Sequence, residues 1–339
     1  MRGPIASTGG AGAAPDILSV AGLRTQFDTE DGVARAVDDV SFRVRKAETL
    51  AIVGESGSGK SVSALSIMRL IPSPPGRIVS GTVRFRGRDG VERDLSLLDE
   101  AAMRLIRGNE IGMVFQEPMT SLNPVFPVGD QIGETVRLHQ KLGRRAARSR
   151  AIELLELAGI AEPHRRIGEY PHHMSGGMRQ RVMIAMALSC DPSLLIADEP
   201  TTALDVTIQA QVLALIRQLA REMGMAVLLV SHDLGIVSQM CHRVIVMYAG
   251  RIVEEASIAT VFRAPAHPYT RALIACLPEM DGRGRLGAIP GMMPGLRAVP
   301  AGCRFHPRCG IAEARCSVEE PRLRRVGDDQ IAACHLVGM

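Results

Sequence analysis

One eight-residue stretch constrains this chain more than any other feature. Gly54-Glu55-Ser56-Gly57-Ser58-Gly59-Lys60-Ser61 follows an apolar run, Leu50 to Val53, and precedes a helical pattern, Val62 to Leu70. Strand, glycine-rich turn and helix in that order form a phosphate-binding loop. The glycines let backbone N–H groups, as far as that of Val62, curl around phosphate oxygens. The helix directs its positive end at the anion, and Lys60 adds a point charge. Ser61 is placed to ligate Mg²⁺. A solvated glycine turn would leave the flanking strand and helix without a purpose.

The rest of the chain reads as α/β. Thr49 to Val53, Ile111 to Phe115, Leu194 to Ala197, Ala226 to Val230 and Val244 to Met247 are short apolar runs suited to buried strands. Between Met119 and Cys190 strand signals vanish. Segments such as Ala146 to Ala158, with Ile152, Leu155 and Leu157 at helical spacing, predict an inserted helical subdomain over about 117–190. From Arg283 onward Gly284, Gly287, Pro290, Gly291, Pro294, Gly295 and Pro300 mark loops, so a small, separately held C-terminal lobe is expected. The expected division is a disordered leader over 1–15, a nucleotide-binding domain over 16–262 and an extension over 263–339.

Composition narrows little further. With 40 Lys and Arg against 36 Asp and Glu, the formal charge of +4 gives no argument for a nucleic-acid partner. No apolar run reaches the roughly 18 uncharged residues that cross a bilayer, and 1–15 lacks the apolar segment of a secretory signal. A location in the cytosol is expected, where the seven cysteines stay reduced or bind metal. Cys190, Cys241 and Cys276 sit among apolar residues and are expected to be buried.

The remaining chemistry lies in motifs that gain meaning beside the phosphate loop. Leu194-Leu195-Ile196-Ala197-Asp198-Glu199 is an apolar strand ending in two carboxylates, one suited to a metal and the other to an attacking water. Alone, such a pair is more often a helix cap or a solvated turn. Met174-Ser175-Gly176-Gly177-Met178-Arg179-Gln180 starts a helical stretch. There Ser175 is a helix cap and the glycines allow close approach to an anion. Gln116 follows the strand ending at Phe115, Ala203-Leu204-Asp205 follows the acidic strand, and His232 follows Ser231.

In this order the motifs resemble those of ABC ATPases, over roughly Leu18 to Pro278. The resemblance implies a P-loop ABC-type ATPase core hydrolysing ATP with Mg²⁺. Asp198, Ser61 and Gln116 would hold the metal, Glu199 would orient or activate water, and His232 would contact the γ-phosphate. Ser175, Gly176, Gly177 and Asp205 would complete the site of an opposing subunit, identical or paralogous. Phe27 is the candidate for stacking on adenine, with Arg35 as an alternative surface and plain core packing of Phe27 as a third reading.

Met119-Thr120-Ser121-Leu122-Asn123-Pro124, Gly129-Asp130-Gln131-Ile132 and His267-Pro268-Tyr269-Thr270-Arg271-Ala272-Leu273 resemble the dipeptide, oligopeptide and nickel uptake ATPases in particular. That resemblance implies two transmembrane permease subunits, an extracytoplasmic peptide-binding protein, and a peripheral position on the cytoplasmic face of the inner membrane. Uptake of nickel or another solute, and a non-transport ABC role, are the alternatives. Tyr269 and Leu273 also fit simple packing of a terminal helix. The C-terminal Cys303-x₅-Cys309-x₆-Cys316-x₁₇-Cys334 pattern leaves three readings open, and the first is preferred: a [4Fe–4S] cluster, a Cys₄ zinc, or thiols packed as small apolar groups. Arg304, Arg308 and Arg315 would offset cluster charge or lie solvated. A P-loop kinase would leave Ser175 to Gln180 and His232 unused, and intact nucleotide motifs argue against a purely regulatory iron-sulfur module.

Overall fold

The computed structural model describes residues 14–117, 121–202, 204–277 and 289–338. Most of the expected leader, together with Met119, Thr120, Ala203, Pro278, Arg283, Gly284 and Gly287, lies outside them. Strands β1 (Asp16–Thr29) and β2 (Gly32–Arg45) form an antiparallel hairpin. Strand β3 (Thr49–Val53) is buried at every residue and feeds the phosphate loop, which opens α1 (Lys60–Ile67). Strands β4 (Gly76–Arg86) and β5 (Glu92–Asp94) join the hairpin in a four-stranded sheet ordered β2-β1-β4-β5. The antiparallel sheet alternates: Val40, Phe42 and Val44 are buried between exposed residues.

Helix α2 (Glu100–Ile106) leads to β6 (Ile111–Val114), after which the chain is helical: α3 (Val128–Gln140), α4 (Arg144–Leu157), α5 (Pro163–Arg166) and α6 (Gly176–Ala187). Helices α3, α4 and α6 share one core through Ile132, Val136, Ala147, Ala151, Leu154 and Val182. On α4 the buried stripe is Ala147, Ala151, Leu154 and Leu155, so Leu157 falls off it and is 46% exposed, contrary to its expected place on the apolar face.

The chain then returns to the sheet through β7 (Leu194–Asp198), α7 (Val206–Met223), β8 (Ala226–Ser231), α8 (Leu234–Met240), β9 (Arg243–Tyr248) and β10 (Arg251–Ser257). Helices α9 (Ile258–Arg263) and α10 (Pro268–Ala275) and the short strands β11 (Arg324–Arg325) and β12 (Ile331–Ala332) complete the described fold. The main sheet is ordered β11-β12-β10-β9-β3-β8-β7-β6, with β9, β3, β8, β7 and β6 parallel. The parallel strands therefore end on one edge, where Gln116, Asp198, Glu199, His232 and the phosphate loop emerge. No helix among the described residues is long and apolar enough to cross a membrane.

The C-terminal segment is not held apart as the sequence suggested. Strand β12 pairs with β10, Ala333 donates its N–H to Val253 O at 2.8 Å, and Phe305 is buried in the main core. Its own apolar cluster is small, containing Ala266, Ala332, Cys334 and Val337, so it borrows the core of the sheet. The fully buried Glu254 fastens the join. Its carboxylate accepts from Ala266 N at 2.9 Å, His267 N at 2.8 Å and Gln330 Nε2 at 2.7 Å. Glu254→Ala orphans those donors and is expected to cost about 3 kcal/mol, read as a drop in the thermal midpoint.

Candidate functional site

The phosphate loop is held in place by backbone approaches that only glycine permits. A Cβ on Gly54 would lie 2.2 Å from Met247 O, and one on Gly59 would lie 2.2 Å from Ala36 O. Both residues have positive φ, 152° and 101°. Gly250 donates its N–H to Ser58 O at 2.8 Å, which ties the loop to the turn after β9. Glu55 is half-buried, Ser56 and Gly57 are exposed at the tip, and Val62 packs against the core beneath the sheet. Ser58 is buried with its hydroxyl unpartnered, an unmet polar group within the cradle.

Lys60 is 4% exposed, and its ammonium donates to Gly54 O at 2.9 Å and Glu55 O at 3.0 Å. Burial lowers its pKa, and Glu199, Asp198 and Glu55 oppose that shift. Ser61 Oγ donates to Asp198 Oδ1 at 2.8 Å, across the intervening β8. Burial raises the Asp198 carboxyl to about 6; the Ser61 hydrogen bond opposes this, Glu199 reinforces it and Lys60 opposes it. A hydroxyl and a carboxylate meeting beside the phosphate loop are hard oxygen donors that suit Mg²⁺.

Glu199 sits at φ 44°, an uncommon conformation for a residue with a side chain, held by its N–H on Val230 O at 3.0 Å. One carboxylate oxygen, Oε2, gathers three partners. Gln116 Nε2 donates to it at 3.1 Å, Thr202 Oγ1 donates at 3.0 Å, and His232 Nδ1 lies 3.4 Å away. The structure thus brings together Gln116, Glu199 and His232, which the sequence presents as separate motifs. Thr202, which sequence reasoning missed, stands in the turn after the acidic pair and lacks a motif of its own.

Ser175 caps α6 and accepts from Met178 N at 3.3 Å, while Gly176 and Gly177 form its first turn against Leu204 and Ile208. Asp205 caps α7 and accepts from Ile208 N at 3.0 Å. These residues stand on helix starts of their own, with Ser175 and Asp205 exposed. Phe27 lies in β1 opposite Ala34 and Gly76, with its ring close to Gly76, and Arg35 is exposed. Tyr269, part of a family-like motif that also fits simple packing, is fully buried, and its hydroxyl accepts the Glu55 N–H at 2.8 Å.

Cys303, Cys309, Cys316 and Cys334 line one cavity with His267, Phe305, His306 and His335, and none forms a disulfide. Burial raises the Cys303 thiol to about 11, with the other three cysteines reinforcing that shift. Among the described residues no three His, Cys, Asp or Glu side chains form a group that could hold one metal ion. Arg304 and Arg308 neither face that cavity as free counter-charges nor lie solvated: they are 9% and 4% exposed and pair with Asp38 and Glu55. Arg315 bonds His335. Of the other cysteines only Cys190 is wholly buried. Cys241 and Cys276 are half-buried, although burial pushes the Cys241 thiol up to about 12.

A glycine-rich loop opening a helix, a hydrogen-bonded Ser–Asp pair beside it and a glutamate hub, all on one edge of a parallel sheet, have the arrangement of a nucleotide-hydrolysing cassette. Residues 37–202 match the ABC transporter family model, and 253–316 match the oligopeptide/dipeptide transporter C-terminal region. The chain is 54% identical over 325 residues to a Brucella melitensis ATP-binding protein named for peptide import, covering 94% of this chain and 96% of that one. It is 48% identical over 320 residues to the dipeptide transport ATP-binding protein DppD of Escherichia coli, with the same two coverages. The dimeric ATP-binding cassette MJ0796, solved in a post-hydrolysis state bound to ADP and Pi, superposes with a TM-score of 0.62 at 27% identity, covering 71% of this chain and 98% of that one. The chain belongs to the ABC transporter ATP-binding family, in the branch that carries the oligopeptide/dipeptide transporter C-terminal region.

Gly59→Ala drives a methyl into Ala36 O, so the loop must shift. Nucleotide affinity is expected to fall at least about 100-fold, a loss that equilibrium titration with a fluorescent ATP analogue would register.

Proposed function

We propose that the chain is the ATP-hydrolysing subunit of an ABC importer of di- or oligopeptides. The convergence of Gln116, Thr202 and His232 on Glu199, beside the Ser61–Asp198 pair, carries the assignment. The peptide class rests on the C-terminal family region and on the transport roles in the names of its relatives.

Residues 54–62 receive the triphosphate on their backbone N–H groups, and Lys60 exchanges its two carbonyl partners for phosphate oxygens. Ser61, Asp198 and Gln116 would hold Mg²⁺, which when bound would supply positive charge to the phosphate oxygens. Glu199 positions the attacking water through the oxygen that Gln116 and Thr202 already orient, and His232 contacts the γ-phosphate. Phe27 is assigned to the adenine. Ser175, Gly176, Gly177 and Asp205 serve the site of a second ATPase subunit, identical or paralogous, in a head-to-tail pair. Their placement on separate helix starts supports this, as does the dimeric state of the related cassette MJ0796.

We assign 16–262 to the nucleotide-binding domain, about 117–190 to its helical subdomain and 263–339 to the peptide-transporter extension. Two transmembrane permease subunits hold the chain at the cytoplasmic face of the inner membrane, and an extracytoplasmic binding protein delivers peptide. An apolar projection supports that contact: Gln131 bonds Asn123 and Phe126, leaving Val125 and Phe126 69% and 52% exposed.

For the extension we assign a [4Fe–4S] cluster to Cys303, Cys309, Cys316 and Cys334. Their common cavity and free thiols support the reading. A Cys₄ zinc site is the alternative that the same four thiols allow. The cluster's electronic chemistry has no part in the hydrolysis proposed here.

Glu199→Gln is expected to bind MgATP but hydrolyse it at least about 100-fold more slowly; turnover near the wild-type rate would remove Glu199 from its role. Anaerobically purified protein is expected to contain about four irons per chain and to absorb broadly in the visible, and Cys309→Ser to lose both. Zinc, or no metal, would overturn the cluster.

A further inference from the structure

The phosphate loop is also gripped from behind, by residues outside every nucleotide motif. Arg308 makes a bidentate pair with Glu55, the second residue of the loop: Nη1 to Oε2 at 2.7 Å and Nη2 to Oε1 at 3.1 Å. The guanidinium is fixed by further bonds, Nε to Pro290 O at 2.8 Å, Nη2 to Ile289 O at 3.3 Å and Nη1 to the Tyr248 hydroxyl at 3.4 Å. The arginine side chain is 4% exposed and the glutamate 31%, so the cation is buried while the carboxylate stays partly open to solvent.

Other contacts converge on the same loop. Tyr269 takes the Glu55 N–H, and the Met293 methyl stands 3.0 Å from where a Cβ on Gly57 would be. Arg304, on the same short turn as Arg308, bonds Ala249 O and Asp38, beside the Gly250 N–H that holds Ser58 O. Asp38 is also bonded by Arg251 at 3.1 Å.

Glu55 places a negative charge in a loop whose purpose is to receive a more negative ligand. Unpaired, it would repel the incoming phosphates and be free to draw Lys60 or the loop backbone toward itself. We infer that Arg308 is a positioning residue for ATP, which neutralises Glu55 and locks its arm of the phosphate loop in the binding conformation. The turn bounded by Cys303 and Cys309 thereby becomes part of the ATP site's support. This inference rests on the reading of residues 54–62 as an ATP site.

The test is equilibrium titration of the purified full-length chain with mant-ATP and Mg²⁺, comparing wild type, Arg308→Gln, Arg308→Lys and Glu55→Gln/Arg308→Gln. Arg308→Gln is expected to raise Kd about ten-fold, and Arg308→Lys, which keeps the charge without the fork, about three-fold. Removing the stranded carboxylate in the double variant is expected to bring Kd back to within about three-fold of wild type. Kd is insensitive to the fraction of misfolded protein, which reduces only the titration amplitude, so a merely structural role would lower amplitude and leave Kd in place. An unchanged Kd in Arg308→Gln, or a double variant as weak as that single one, would overturn the inference. If Arg308→Gln yields no folded protein, Arg308→Lys decides by the same criterion of a raised or unchanged Kd. Failure of the wild type to bind mant-ATP would instead strike the ATP reading itself.

Discussion

Parallel pairing of β3 with β8 and of β8 with β7 is the constraint on which the site depends. Every residue of these three strands is buried, so their backbone groups must find partners within the sheet, with β9 and β6 completing it on either side. Register then dictates chemistry. With Val53 opposite Ser231 and Asp198 opposite Val230, the phosphate loop, the acidic pair and His232 leave the sheet at one level. The hydrogen bond from Ser61 to Asp198 spans β8 because both strands end there. Glu199 takes up its strained conformation one residue beyond the ladder, where its N–H still finds Val230 O.

Much of this was legible in the sequence because buried parallel strands are written as short continuous apolar runs. Thr49 to Val53, Leu194 to Ala197 and Ala226 to Val230 each stand out against charged surroundings, and the motifs follow them directly. The antiparallel sheet was not legible in the same way. Strand β2 alternates Val37, Val40, Phe42 and Val44 with charged and polar residues, so no window in it is apolar throughout. Strands β11 and β12 are two residues each and carry no periodicity at all; they exist because β10 offers an edge. Of the hub at Glu199, the sequence yields Gln116 and His232 but neither Thr202 nor the geometry, since nothing in the spacing of these residues reveals a shared oxygen.

The C-terminal arginines show where composition misleads. Beside four cysteines they read as counter-charges for a metal or as surface residues, because sequence neighbours are the only visible partners. The fold instead pairs two of them, Arg304 and Arg308, with Asp38 and Glu55, more than 200 positions away in the chain. Long-range ion pairs of this kind leave no local trace, and they matter here because one carboxylate belongs to the phosphate loop. Tyr248, Tyr269 and Phe305 pack edge-on between the two regions, at ring separations of 4.7 to 5.4 Å, so the space between cysteine cavity and loop is filled by rigid side chains.

The pairing of β12 with β10 also governs how the molecule behaves when it is cut. Strand β10 is capped on its outer side by only two residues, Ile331 and Ala332, followed by the Ala333 N–H on Val253 O. A chain shortened before Ile331 would uncover a row of backbone donors and acceptors along Val253 to Glu255. It would also strip Gln330 from Glu254 if cut one residue earlier. Such an edge is a template for other chains, so trimming this tail would leave a protein prone to self-association.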